Sequence, residues 1–154
     1  DPEWYRSVVR LIGEDWLWQA LPLMPADELA ALMKDPLVEI HAIERGREVL
    51  GVAELDRRKP GNVEIVLFGV VPKAVRTGAA RRLMDEVLQR AFAPGVERVW
   101  LHTCTHDHPA AVPFYLKAGF RAFKFGIEVN DDPRLSGDYP ADPAPHIPVI
   151  PVRA

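Results

Sequence analysis

Residues 62–92, NVEIVLFGVVPKAVRTGAARRLMDEVLQRAF, constrain this chain more than any other stretch. They read as an apolar strand, a basic turn containing Gly78, and a helix that starts at that turn. Ala80, Leu83, Met84, Val87, Leu88 and Ala91 fall on one stripe of the helix. A strand apolar on both faces belongs in the middle of a sheet. Pro72 ends it, because proline removes a ladder donor. The helix that follows starts at a loop whose unpaired backbone N–H groups and helix dipole together favour an anion such as phosphate. Glu64 interrupts the apolar run and is therefore a candidate for chemistry.

At 154 residues the chain is expected to form one domain around one core. A net charge of −3 gives no general attraction to nucleic acid or anionic membrane, so neither is expected as a partner and any phosphate must be held locally. The single cysteine, Cys104, excludes an internal disulfide and fits a reducing compartment, hence a cytoplasmic location. No apolar run reaches the roughly 20 residues of a membrane span.

Around the central stretch, residues 3–18 have helical spacing through Tyr5, Val8, Val9, Ile12 and Trp16, and residues 26–34 form a second helix closed by Pro36. Residues 37–44 and 48–56 read as a hairpin around Arg45-Gly46-Arg47. The basic cluster Arg57, Arg58, Lys59 reads as a solvated loop tip. Residues 98–105 form a strand, Pro109 opens a helix capped by Gly119, and residues 120–129 return as a final strand. From residue 130 prolines crowd the chain, so residues 130–154 read as a flexible tail or an extended surface segment without regular structure, pinned in part by Ile147, Val149 and Ile150. The order predicts a mixed α/β domain.

Two motifs in that order resemble the GNAT superfamily of acyl-CoA-dependent N-acetyltransferases. Val70-Val71-Pro72 leads into Val75-Arg76-Thr77-Gly78-Ala79-Ala80, similar to the family turn Arg/Gln-x-x-Gly-x-Gly/Ala, with Val75 in place of Arg or Gln. Phe114-Tyr115-Leu116-Lys117-Ala118-Gly119-Phe120 is similar to the family helix that carries a Tyr before a Gly-Phe turn. His108 stands where many members have Asn. The resemblance implies a GNAT-like, mainly antiparallel sheet flanked by helices over residues 1–129, with residues 130–154 as an extension. The family's first strand is missing here, and Asp1 in place of Met leads to the expectation of upstream residues cut away. The Trp-rich first helix and HTCTHDHPAAVPFY look similar to an uncharacterised bacterial subgroup, which does not name the acceptor.

The resemblance implies acetyl transfer from acetyl-CoA to an amine of a small molecule or peptide, by direct attack on the thioester. The amine must lose a proton, the carbonyl oxygen must be stabilised, and the thiolate must be protonated. Glu64 is the candidate base and His102, on the next strand, the alternative. Tyr115 is the candidate acid. Phe68, Gly69 and Val70 are expected to line the cofactor, with a backbone N–H near Val70 meeting the oxyanion. Arg76, Thr77, Gly78, Ala79, Ala80 and Arg81 are expected to hold its pyrophosphate, with His108 beside them. Trp16, Trp18 and Asp15 are candidate acceptor contacts, an aromatic and acidic set suited to a cation. His102, Cys104, His106 and His108 alternate like strand ligands, but span roughly 20 Å at about 3.3 Å per residue, too far for one metal ion. Cys104 is therefore expected to be buried, and Asp107 or His108 to cap the next helix. A different reading is a non-catalytic acyl-CoA-binding module. The apolar-dotted tail is able to pack on a neighbouring subunit as a homodimer.

Overall fold

A computed structural model describes residues 1–150. Residues 151–154, the last of the proline-rich extension, lie outside the described residues. The first helix, α1 (Pro2–Gly13), starts at Asp1, whose carboxylate accepts from the Trp4 N–H at 3.0 Å. Its buried side, Tyr5, Val8, Val9 and Ile12, follows the predicted spacing. The helix stops at Gly13 rather than running to residue 18. A 3₁₀ turn (Glu14–Trp16) and a left-handed Leu17 fold Trp18 back over Gly13, where a Cβ would meet the indole at 2.6 Å.

After α2 (Ala26–Leu32) come β1 (Val38–Arg45), β2 (Glu48–Asp56) and β3 (Asn62–Val70), an antiparallel meander. Helix α3 (Ala79–Ala91) returns the chain so that β4 (Arg98–Leu101) pairs parallel to β3. The sheet order is β1-β2-β3-β4. One face packs Val52 and Leu67 against α1 and α2; the other packs Ala53, Leu55, Val63 and Ile65 against Leu83, Met84 and Val87 of α3. α4 (Ala111–Lys117) joins that second face through Phe114 and Tyr115. The expected mixed, mainly antiparallel α/β sheet between helices is the architecture observed.

One polar pair crosses the core. Glu54, 2% exposed, accepts from the Tyr5 hydroxyl at 2.5 Å and ties α1 to β2. Gly69 is the closest approach of sheet and helix: a Cβ there would lie 2.4 Å from Ile12 Cγ2 and 3.2 Å from the Trp18 ring. Gly69→Ala is expected to destabilise the fold by about 1–3 kcal/mol through overpacking. A urea midpoint lowered at constant slope would record it; an unchanged midpoint would mean that α1 can back away at no cost.

Five local expectations are corrected. β4 ends at Leu101, because the Asp107 carboxylate accepts from Thr103 Oγ1 (2.7 Å) and the Cys104 N–H (3.0 Å), bending residues 102–108 away from the sheet. Cys104 is consequently exposed, not buried. Residues 120–129 form no strand: among the described residues they hydrogen-bond to no neighbouring strand, and alternation alone cannot hold an extended chain. The extension does contain regular structure, α5 (Pro133–Ser136), capped by Asp132. It is pinned rather than loose. The Arg134 guanidinium donates to the carbonyls of Pro143, Ala144 and Ile147, and Tyr139 is buried against Leu17 with its hydroxyl on the Trp18 carbonyl. Arg57 is likewise no free loop charge; it pairs with Glu39 and donates to the Arg90 carbonyl at 2.9 Å. Among the described residues no helix is long and apolar enough to cross a membrane.

Candidate functional site

The sheet comes apart at β3. Its pairing with β2 runs to Val70, whereas its pairing with β4 stops at Ile65. Val66 is the extra residue of a bulge, since Glu54 faces Leu67 while Leu55 faces Ile65. The bulge has two consequences. It inverts the alternation, so that Leu67 faces α1 and Phe68 faces α4. It also marks where β4 leaves, so residues 66–70 carry a free backbone edge along a gap in the sheet.

The gap opens at the start of α3. Gly78 is the N-cap, left-handed at φ 88°, and Arg76 is also left-handed at φ 64°. A left-handed arginine is uncommon and costs backbone strain, which persists at sites where the surroundings hold it. Left-handed residues at 76 and 78, on either side of Thr77, form a turn of the kind that presents backbone N–H groups to an anion, a nest. Thr77 N–H is used by the Ala74 carbonyl and Ala79 N–H by Thr77 Oγ1. The N–H groups of Arg76, Gly78, Ala80 and Arg81 donate to no acceptor among the described residues. Val75, whose side chain is exposed, contributes only backbone here. Arg76 is exposed and in no ion pair among the described residues, whereas Arg81 is engaged with Asp85 at 2.9 Å.

Tyr115 reaches the gap from the α4 side. Its ring stands edge-on to Phe68 (6.2 Å), Phe114 (5.7 Å) and Phe120 (6.2 Å). Burial, with a smaller contribution from the Asp107 charge, holds the phenol well above its ordinary range, so it is a neutral O–H donor at physiological pH. That hydroxyl makes no hydrogen bond among the described residues. Asp107 in turn accepts from Trp18 Nε1 at 2.9 Å, a bond spanning 89 residues that closes the loop after β4 onto the end of α1.

Glu64 occupies the opposite, α1-side face. It stands beside Asp56 on β2 and Trp100 on β4, and these residues with Arg58, Lys59, Pro60 and Asn62 line a cleft of about 370 Å³. Desolvation raises the Glu64 carboxyl above the usual carboxylate range, offset in part by His102, whose Nδ1 is 3.6 Å away. The two candidate bases are therefore neighbours, and His102 is the more exposed. A second cleft of about 470 Å³, lined by Arg57 and residues 93–96, lies at the far end of α3 from the nest.

The remaining candidates divide. Phe68 and Gly69 flank the gap on opposite faces, as above. Trp18 is a structural bridge with its N–H spent on Asp107. Trp16 and His108 come together, ring centroids 5.1 Å apart, and His146 of the extension packs on the same indole at 5.1 Å. His108 Nδ1 also accepts from the Ala110 N–H at 3.0 Å, but neither it nor Asp107 caps α4 as expected: the N-cap is Ala110, without a side-chain bond, and the helix starts at Ala111 rather than Pro109. Asp15 is exposed and adjoins none of these groups. Sequence reasoning missed Trp100, which carries no motif and enters the cleft through strand register alone. It also missed the bridging role of Asp107, for which the two-residue spacing before Pro109 was the available signal.

Comparison with known proteins places these features in context. The acetyltransferase (GNAT) family matches residues 5–120. An uncharacterized N-acetyltransferase of Mycobacterium bovis is 32% identical over 108 residues, covering 67% of this chain and 69% of the relative. Among solved structures, one described as a transcriptional regulator from Bacillus halodurans superposes with a TM-score of 0.66 at 20% identity, covering 82% of this chain and 92% of that one. AAC(6')-Iy, solved with a bisubstrate analogue, CoA-S-monomethyl-acetylneamine, superposes at 0.62 with 15% identity, over 84% of this chain and 90% of that one.

Proposed function

The chain belongs to the acetyltransferase (GNAT) family, and from that premise we propose that residues 1–129 transfer an acetyl group from acetyl-CoA to an amine, with residues 130–154 as an extension. The observation that carries this reading is the opening of the sheet between a free β3 edge and an anion nest, with Tyr115 on one face and Glu64 on the other. The nest suits a pyrophosphate: four unused N–H groups converge at the first turn of a 13-residue helix, and Arg76 adds a free guanidinium. When bound, acetyl-CoA supplies the thioester whose carbonyl carbon takes the amine and whose thiolate departs.

Each residue then has a defined task. The nest amides and Arg76 hold the pyrophosphate. The β3 edge at residues 66–70, ending near Val70, hydrogen-bonds the pantetheine arm and donates an N–H to the developing oxyanion. The neutral Tyr115 hydroxyl gives its proton to the departing thiolate. Glu64, ionised, takes a proton from the acceptor's ammonium and so frees the amine that attacks. Six residues separate it from Val70, about 20 Å of extended chain, so this proton is relayed along a file of several waters rather than across one. The cleft holds Glu64 and Trp100 beside Asp56, Arg58 and Lys59, and Arg58 pairs with Asp56, so Glu64 and the indole are the groups left to meet a cationic amine. A small-molecule or peptide amine is the proposed acceptor. In AAC(6')-Iy the bound analogue joins CoA to an acetylneamine, an amine-bearing compound of this general kind.

Thermal melting with CoA and acetyl-CoA tests the cofactor half. A ligand at about 100 times its Kd adds about 2.7 kcal/mol, a rise of several degrees. Ala80→Asp, which sets a carboxylate among the nest amides, is expected to abolish that rise while leaving the unliganded melting temperature within a few degrees. No shift with either ligand would end the proposal. A shift without consumption of acetyl-CoA across a broad amine panel would favour the non-catalytic module instead.

A further inference from the structure

Residues 120–129 leave the core at Phe120 and run across the surface with no strand partner. From residue 123 their odd positions are apolar and bare: Phe123 is 61% exposed, Phe125 91%, Ile127 94% and Val129 91%. The alternation with Lys124, Gly126 and Glu128 is that of a strand with one face meant for cover. Phe123 has the Arg98 guanidinium 5.2 Å over its ring, which sets the start of the segment beside β4. Arg121, Lys124, Glu128 and Asp131 are all exposed, and none is in a salt bridge among the described residues.

The charges say what covers it. If the segment is laid antiparallel to a second copy of itself with Gly126 opposite Gly126, Lys124 falls opposite Glu128 and Arg121 opposite Asp131. The same register puts Phe125 opposite Ile127 and Phe123 opposite Val129. A two-fold axis repeats every pair, so eight residues of each copy are matched. Other registers fail. Sliding by two positions along the partner, which keeps the apolar faces together, sets both lysines opposite uncharged residues. A parallel, in-register pairing sets Lys124 on Lys124 and Glu128 on Glu128. An odd slip turns the apolar faces apart.

We propose that residues 121–131 pair antiparallel with the same segment of a second copy of this chain, centred on Gly126, and that this ribbon is a homodimer interface. It is independent of the acetyl-transfer reading, since it uses no residue of the nest, the gap or the cleft. Two strands alone form a weak ribbon, so the dimer is expected to dissociate in the micromolar range.

Sedimentation equilibrium on the whole chain tests it. Lys124→Glu and Glu128→Lys are each expected to raise the dimer dissociation constant about tenfold or more, because each turns two attractive pairs into two repulsive ones. The mixture of the two single variants is the decisive sample. A Lys124→Glu chain opposite a Glu128→Lys chain restores both pairs, so the mixture associates where neither does alone. The double variant also recovers the dimer. Phe125→Asp is expected to leave a monomer with an unchanged circular dichroism melt. A wild-type chain that stays monomeric through the micromolar range overturns the proposal, whether the segment is free or its amides prove protected against its own sheet. So does a dimer indifferent to the charge reversals, or a mixture that does not re-associate.

Discussion

Tyr115→Phe is expected to lower kcat by about 10²-fold or more, the range in which a positioned general acid acts, while CoA affinity stays within a factor of about two. The argument is one of environment. The ring is wedged among Phe68, Phe114 and Phe120, so removing the hydroxyl leaves the packing intact. The hydroxyl itself bonds to no protein group among the described residues, so its loss orphans no buried partner. Burial and the Asp107 charge keep the phenol protonated far into the alkaline range, so the proton is available throughout the working pH. Steady-state kinetics and calorimetry on the same variant separate the two roles. A fall in CoA affinity matching the fall in kcat would make Tyr115 a binding residue. An unchanged kcat would remove it from the chemistry.

The parts of the fold that were legible are those with a local cause. The α3 stripe, the Pro72 stop, the Gly78 turn and the β1–β2 hairpin each follow from residues within a few positions of one another. The nest was legible for the same reason: its glycine and its helix start adjoin in the chain. What escaped depended on distant partners. Nothing near residues 120–129 says that no strand will pair with them, because pairing is a property of the neighbour. Trp18 looked like a pocket wall until Asp107, far along the chain, took its N–H. Likewise the proline-rich extension owes its order to Arg134, which satisfies three carbonyls of its own loop, and to Tyr139 docking on Leu17. The bulge at Val66 is the deepest case. It sets which face Glu64 and Phe68 occupy and hence separates the candidate base from the candidate acid, yet it has no signature in the residue types of β3.

That separation frames the second large effect. Glu64→Gln is expected to reduce kcat/KM by about 10²- to 10³-fold near neutral pH and to remove the acid limb of its pH profile. The sign follows from the carboxyl's surroundings. Desolvation raises its pKa, so the base form, and with it activity, is lost on acidification at a higher pH than for an ordinary carboxylate. His102, 3.6 Å away, pulls the other way by favouring the carboxylate. His102→Asn should therefore leave the limb in place but move it to higher pH, with a modest loss of rate at neutrality. If His102 were instead the base, the outcomes would exchange: the Asn variant would lose the limb and the Gln variant would keep it. Profiles of the two variants thus assign the proton by which one retains an acid limb, and a wild-type limb at or below the normal carboxylate range would exclude Glu64. The same pair of variants bears on the acceptor. A cationic amine drawn by Glu64 and Trp100 in their cleft would raise its KM in Glu64→Gln as well as losing kcat. An amine held elsewhere would show the loss in kcat alone.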